Sequence, residues 1–239
     1  MSEPMRLSKR LIQLIGCSRS EADKYIEGGW VLVDGKAVDT PQFMVEEQKV
    51  ELHPNATLDP VLPMTILLHS PVGFDTTDPT ATRQLITPDT RVTDDNTSIR
   101  TLKRHFVGLM PTAPLQTGAT GLLVFSQDKR VVQRLVKDAK KNEQEYTVEV
   151  GGEIEPDGLE QLNHEVKRKG WPLPKAKVSW QSENKLRFAL KNIQADQIEF
   201  MCQSVGLTVV SMVRIRIGSI PLAKLPPGQW RYLPVGKLF

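Results

Sequence analysis

RLSKRLIQLIGCSRSEADKYIEGGWVLVDGKAV, residues 6–38, spells out two short helices and a hairpin in its spacing alone. Leu7, Leu11, Leu14 and Ile15 recur at intervals of 4, 3 and 1, the apolar stripe of a first helix. Gly16 is placed to stop that helix in the left-handed conformation. Ser18-Arg19-Ser20-Glu21 has the spacing of a capping box, so a second helix starts at Ser18 with Ala22, Tyr25 and Ile26 facing inward. Gly28-Gly29 ends it. Val31-Leu32-Val33 and Ala37-Val38 then flank Asp34-Gly35, a tight-hairpin signal. Arg6, Lys9, Arg10, Arg19 and Lys24 stand against only Glu21 and Asp23 between positions 6 and 24. Charge alone leaves two readings open: an ordinary solvated helical face, or a surface that meets an anionic partner.

Outward from this stretch, 239 residues leave room for one large domain beside the small one. A hydrophobic fraction of 39% and a charged fraction of 25% are those of an ordinary soluble globular chain. The net charge of +3 is modest, but its distribution is uneven. Residues 167–191 hold Lys167, Arg168, Lys169, Lys175, Lys177, Lys185, Arg187 and Lys191 against Glu183 alone, with Trp171 and Trp180 interleaved. Such a stripe suits a nucleic-acid groove, and equally a solvent-facing hairpin with Trp180 in the core. The two cysteines, Cys17 and Cys202, are too far apart in the chain to suggest a disulfide framework or a zinc site. No His/Cys/Asp spacing suits a metal, and no glycine-rich phosphate loop occurs, so no metal and no cofactor, nucleotide cofactors included, are expected. With no signal peptide and no apolar run near membrane-spanning length, the expected location is cytoplasmic, with no membrane partner.

The remaining elements are mixed without regular alternation, which favours α+β. Three prolines in residues 53–63 place the boundary: a small domain at 1–58, a linker at 59–63 and a larger domain at 64–239. In the larger domain, strands are expected at Ile66–Leu68, Leu122–Phe125, Glu145–Val150, Ala176–Trp180, Lys185–Leu190, Leu207–Val210 and Met212–Ile217. Helices are expected at Lys129–Lys141, Leu159–Arg168 and Gln194–Val205. Residues 75–98 read as a long polar loop with one helical turn near Leu85-Ile86. In Leu115-Gln116-Thr117-Gly118-Ala119-Thr120-Gly121-Leu122-Leu123-Val124-Phe125, two glycines lead into a buried strand, so the backbone can approach a ligand there.

RLSKRL followed by CSRSEADKYIEGGWVLVDGKAV closely resembles the RNA-binding module named after ribosomal protein S4, the alpha-L motif. The resemblance implies that Arg6, Lys9, Arg10, Arg19 and Lys24 meet the phosphates of folded RNA. The stretch 115–125 extends the likeness. So do Leu68-His69-Ser70-Pro71-Val72-Gly73, Glu145-Tyr146-Thr147-Val148, Gln197-Ile198 with Met201-Cys202, Arg214-Ile215-Arg216-Ile217-Gly218 and Leu225-Pro226-Pro227-Gly228-Gln229-Trp230-Arg231. Together they resemble the RsuA/RluB/RluE/RluF branch of RNA pseudouridine synthases. The implied fold is a small two-helix-plus-hairpin domain followed by a larger, mainly antiparallel sheet domain. The implied reaction is isomerisation of uridine to pseudouridine without a cofactor, in a monomer whose partner is structured RNA, rRNA above all. Lys167, Arg168, Lys169, Lys175 and Lys177 become further candidate RNA contacts.

The family's essential Asp lies in Gly-Arg-Leu-Asp, five residues before the glycine of Gly-Leu-Leu. Counting back from Gly121 lands on Gln116, and the family Arg falls on Pro114. A carboxamide is neutral and a poor nucleophile. The family Lys before Pro-Val-Gly is Ser70, the Lys two before the strand tyrosine is Gln144, and three Arg positions are Asp196, Glu199 and Phe200. Tyr146, which in the family stacks under the target base and assists proton transfer, is present. Three readings follow: an RNA-binding protein with weak or no catalysis; an active rRNA or tRNA synthase using another carboxylate, such as Asp94, Asp95 or Asp128; and a non-catalytic ribosome-assembly or protein-interaction factor, with Asp196 and Glu199 facing a basic partner.

Overall fold

The computed structural model describes residues 3–74, 78 and 84–239. The chain separates into two compact units: Met1–Pro63 with Ser98–Leu109, and Met64–Thr97 with Met110–Phe239.

In the first unit, β1 (Met5–Arg6) leads into α1 (Leu7–Ile15) and α2 (Arg19–Glu27). β2 (Val31–Val33), β3 (Lys36–Val38), β4 (Met44–Val45) and β5 (Val50–Leu52) follow. The capping box forms as its spacing requires: Glu21 N donates to Ser18 Oγ at 3.3 Å and Ser18 N to Glu21 Oε2 at 2.8 Å. Gly16 closes α1 at φ 70°. Asp34 and Gly35 both take positive φ, 49° and 77°, the primed geometry whose twist matches the β2–β3 hairpin. Leu7, Leu11, Ala22, Ile26 and Val31 are fully buried. The apolar stripe of α1 is shorter than its spacing implies. Leu14 is 51% and Ile15 39% exposed, because the core of this unit takes Leu7, Leu11 and Ile12 and the last turn projects past it.

Ser98–Leu109 packs with this unit although it follows the first strand of the other in the chain. Arg100 stacks on the Trp30 ring at 4.6 Å and donates to Gly29 O. Arg104 pairs with Glu27, and Lys103 N donates to Asp39. Gly29 sits at φ 69°, and a Cβ there would lie 2.7 Å from Leu102 Cδ2.

The second unit is built on β6 (Thr65–Ser70), β7 (Met110–Pro111), β8 (Thr120–Ser126), β9 (Glu143–Gly151), β10 (Lys167–Arg168) and β11 (Trp171–Pro172). It continues with β12 (Ala176–Ser182), β13 (Lys185–Lys191), β14 (Thr208–Ile217), β15 (Ile220–Pro221) and β16 (Trp230–Tyr232). A nine-stranded sheet runs β12-β13-β9-β14-β8-β6-β16, with β15 on β14 and β7 on β8. Its strand pairs are antiparallel except β14 with β8, so the α+β expectation holds.

Several elements differ from their sequence reading. Lys129–Lys141 is not one α-helix. It is α3 (Lys129–Val132), a π turn at Gln133–Lys137 and a 3-10 turn at Ala139–Lys141. The wider turn keeps Val131 and Leu135 buried and leaves Val136 54% exposed. The helix expected at Leu159–Arg168 stops as α4 (Gly158–Asn163). Asn163 clamps β12, exchanging hydrogen bonds with Val178 N and O at 2.9 Å, and the chain then turns into the β10–β11 hairpin. The third helix is α5 (Gln197–Gln203), preceded by Asp196 in the left-handed region at φ 55°. The two strands expected between Leu207 and Ile217 are one, β14, with register shifts at Val209/Ser211 and Arg214/Arg216. Of the expected 75–98 loop, residues 75–77 and 79–83 lie outside the described residues; Pro88–Thr90 is a 3-10 turn.

Candidate functional site

One row of the sheet carries the positions the sequence singled out. Ser70 on β6 registers with Gly121 on β8, Gly121 with Arg214 on β14, Arg214 with Tyr146 on β9, and Tyr146 with Phe188 on β13. Residues paired across strands share a face, so this row presents its side chains on one side of the sheet. Gly121 explains how the strands close up. At φ 100°, a Cβ there would lie 2.5 Å from Arg214 O and 2.8 Å from Arg214 N. The second glycine of the 115–125 stretch therefore admits the β14 backbone rather than a ligand, which corrects the sequence reading; Gly118, at φ 71°, faces open space and serves the turn before β8.

Arg214 is fully buried, and its hydrogen-bond acceptors among the described residues are all neutral. Its Nε donates to Leu122 O at 2.8 Å, one terminal nitrogen to Ala113 O at 2.7 Å, and the other to Pro114 O at 2.8 Å and Gln144 Oε1 at 3.0 Å. The Tyr146 hydroxyl lies 3.5 Å from that last nitrogen. Burial pushes the guanidinium below its ordinary pKa, and Tyr146 opposes the shift. Tyr146 is itself fully buried and donates to Gln144 Oε1 at 3.1 Å. One carboxamide oxygen thus serves both the arginine and the tyrosine.

Gln116 is nearly buried. Its Oε1 accepts the backbone N–H of Gln197, the first residue of α5, at 3.2 Å. Gln197 donates to Pro174 O at 2.7 Å and accepts Gln194 N at 3.1 Å. Residue 116 is thereby tied into the start of α5. The acids considered as substitutes are engaged elsewhere. Asp95 accepts from Arg91, Thr97 and Tyr232 N, and Asp128 caps α3 and grips Arg130. Asp94 is exposed. Ser70 is fully buried, and its Oγ has no hydrogen-bond partner among the described residues.

The expected RNA contacts fall into two groups. Arg6, Lys9, Arg10, Arg19 and Lys24 are all exposed, and none has an ion-pair partner among the described residues. In the 167–191 stripe, Lys169, Lys175 and Lys177 are exposed and likewise unpaired. Lys167 pairs with Glu165 at 3.2 Å, while Arg168 turns back to α5, bonding Ala195 O at 3.2 Å and stacking on Phe200 at 5.4 Å. Trp171 is 78% exposed; Trp180 packs against the core.

The opposite sheet face holds a group that sequence reading missed. Glu145 binds both Arg187 and Arg216, and Arg216 also reaches Glu143 at 2.6 Å. The Arg216 guanidinium, followed by that of Arg187, holds the Glu145 carboxyl at about 2. Because this folded-state pKa lies below the unfolded value, the ion pairs stabilise the protein above about pH 4.5 and lose that contribution as pH falls towards 2. Urea midpoints measured from pH 6 to 2 should decline across this window, and Glu145→Gln should decline less steeply. The cue was available in the alternation of Glu143, Glu145 with Tyr146, Val148 along β9, but its partners are set by cross-strand register.

A model of the S4 domain matches residues 5–50. An uncharacterized RNA pseudouridine synthase of Aquifex aeolicus (strain VF5) is 28% identical over 237 residues, 96% of this chain and 92% of its own length. The dual-specificity RNA pseudouridine synthase RluF of Escherichia coli (strain K12) is 28% identical over 234 residues, 96% of this chain and 75% of its own. Ribosomal small subunit pseudouridine synthase A of Vibrio cholerae is 29% identical over 238 residues, 96% of each chain. A crystal structure of a pseudouridylate synthase has a TM-score of 0.59 at 20% identity over 96% of both chains, a likeness of fold.

Proposed function

We propose, for a chain that belongs to the RsuA/RluF branch of RNA pseudouridine synthases and carries an S4 domain at its front, that its working activity is the binding of structured RNA, rRNA foremost, with uridine isomerisation weak or absent. The reading is carried by Gln116, which counting back from Gly121 assigns to the position of the family Asp and whose oxygen already accepts Gln197 N. Proton abstraction or attack on a ribose or base needs a carboxylate at that point, and a carboxamide supplies neither basicity nor a competent nucleophile. Arg214 supports the same reading: its acceptors among the described residues are carbonyl, carboxamide and phenol oxygens. The front unit keeps Arg6, Lys9, Arg10, Arg19 and Lys24 exposed, which is what affinity for a phosphate backbone requires. The protein works in the cytoplasm as a monomer, without a cofactor, as a factor that holds or caps an rRNA element.

RNA affinity tests the binding half. Replacing Arg10 and Arg19 together by Gln should weaken binding of an rRNA stem–loop about tenfold or more and flatten the plot of log affinity against log salt by about two, near one unit per lost phosphate contact. Unchanged affinity and slope would remove the front unit from RNA recognition.

A further inference from the structure

Tyr146 and Arg214 point to one face of the sheet; their strand neighbours point to the other. That second face is defined by Glu145, by Arg187 beside Phe188, and by Lys177 beside Val178. The Lys129–Lys141 segment covers part of it. Val131 and Leu135 join the apolar cluster of Leu122 and Val124, which alternate on β8 with Gly121 and Leu123 and so face away from the Arg214 row.

The outward side of this segment is densely cationic. Lys129, Arg130, Arg134, Lys137, Lys140 and Lys141 are all exposed, against two acids, Asp128 and Asp138. Both acids are already engaged: Asp128 caps α3 and binds Arg130, and Asp138 binds Lys141 at 2.8 Å. Lys129, Lys137 and Lys140 have no ion-pair partner among the described residues. Immediately after the segment, Glu143 at the start of β9 registers with the exposed Lys191 at the end of β13, so a further cation stands beside the strip on the same sheet face. The segment's three successive turns carry six cations within thirteen residues, enough to meet several phosphates of a nucleic-acid strand.

We propose that this strip, Lys129 to Lys141 extended by Lys191, is a second phosphate-binding surface for the backbone of folded RNA, on the sheet face opposite Tyr146 and Arg214. The inference rests on the RNA-binding reading and adds where the larger unit takes its share. A strip of flexible cations with one exposed apolar side chain, Val136, and no aromatic anchor suits a phosphate backbone better than a protein epitope, whose binding energy concentrates in buried aromatic and Arg anchors. RNA held here lies on the face away from the Arg214 row, so the surface serves a holding role without a base entering the family pocket.

The test uses the full chain with Lys129→Gln, Lys137→Gln and Lys140→Gln combined, and an rRNA stem–loop as probe. These side chains are exposed, so circular dichroism and the thermal midpoint should match the parent. Affinity should fall about tenfold or more, and the salt slope should drop by about three, near one unit per lost lysine. If the triple variant binds and responds to salt like the parent while the Arg10/Arg19 variant weakens, the strip is overturned and the RNA-binding reading stands. If neither variant changes, both fall. Unaltered RNA affinity combined with lost binding of polyglutamate would assign the strip to an acidic protein and overturn the proposal as well.

Discussion

Incubated with rRNA or tRNA, the protein should form pseudouridine more slowly than its Asp-bearing relatives by a factor on the order of 10^4 to 10^6, the scale of losing a catalytic group that acts at the reacting atom. Mapping of pseudouridine in cells with and without the protein should accordingly show no site that depends on it. Loss of even one modified site on deletion would overturn the reading. Gln116→Asp by itself should restore no turnover, because more than one group has changed. On the proposed correspondence with the family, Ser70 and Gln144 replace lysines and Glu199 replaces an arginine. The Gln144 oxygen is committed to Arg214 and to Tyr146. The start of α5 has also adapted to residue 116, since Gln197 N is satisfied by the Gln116 oxygen. Activity in Gln116→Asp would show that the rest of the pocket had stayed competent.

Arg214→Met should destabilise the protein by about 3–5 kcal/mol, the largest single-residue effect expected in the chain. The methionine fills much of the volume but leaves Leu122 O, Pro114 O and Ala113 O without their donor inside the sheet core. Each unpaired buried carbonyl costs about 1–3 kcal/mol, reduced where water can enter. Urea unfolding reads this directly, and the thermal midpoint should fall by roughly 10 °C. Arg214→Lys should recover only part of the loss, because an ammonium cannot place donors in three directions within one plane. A loss below about 1 kcal/mol would mean that the carbonyls find other partners and that Arg214 is kept for something other than the fold.

One prediction turns on Gln116 beside α5 and the other on Arg214 in the sheet, and the origin of these placements shows how legible the chain is. The capping box at Ser18 and Glu21, the Asp34-Gly35 hairpin and the Gly16 stop are local devices. Each is complete within a few residues, so spacing suffices to find them. The Lys129–Lys141 and Leu159–Arg168 segments were misread because their ends are set from outside. A side chain from α4 reaches across to Val178, and a π turn keeps Val131 and Leu135 against the sheet. Local periodicity contains neither constraint. Leu14 and Ile15 show the same limit, since an apolar stripe does not reveal how far the facing core extends.

The sequence by itself determined the front module with its cations, the mixed sheet class, and the carboxamide at position 116, because these depend on residue identity and short-range spacing. The tertiary structure alone decided what surrounds that carboxamide. Cross-strand register brings Ser70, Gly121, Arg214 and Tyr146 into line from four strands, and α5 delivers the Gln197 N–H to Gln116. Packing likewise attached Ser98–Leu109 to the front unit and turned the cations of Lys129–Lys141 outward on the far face of the sheet. Those relations join residues tens of positions apart, and only the folded chain brings them within hydrogen-bond reach.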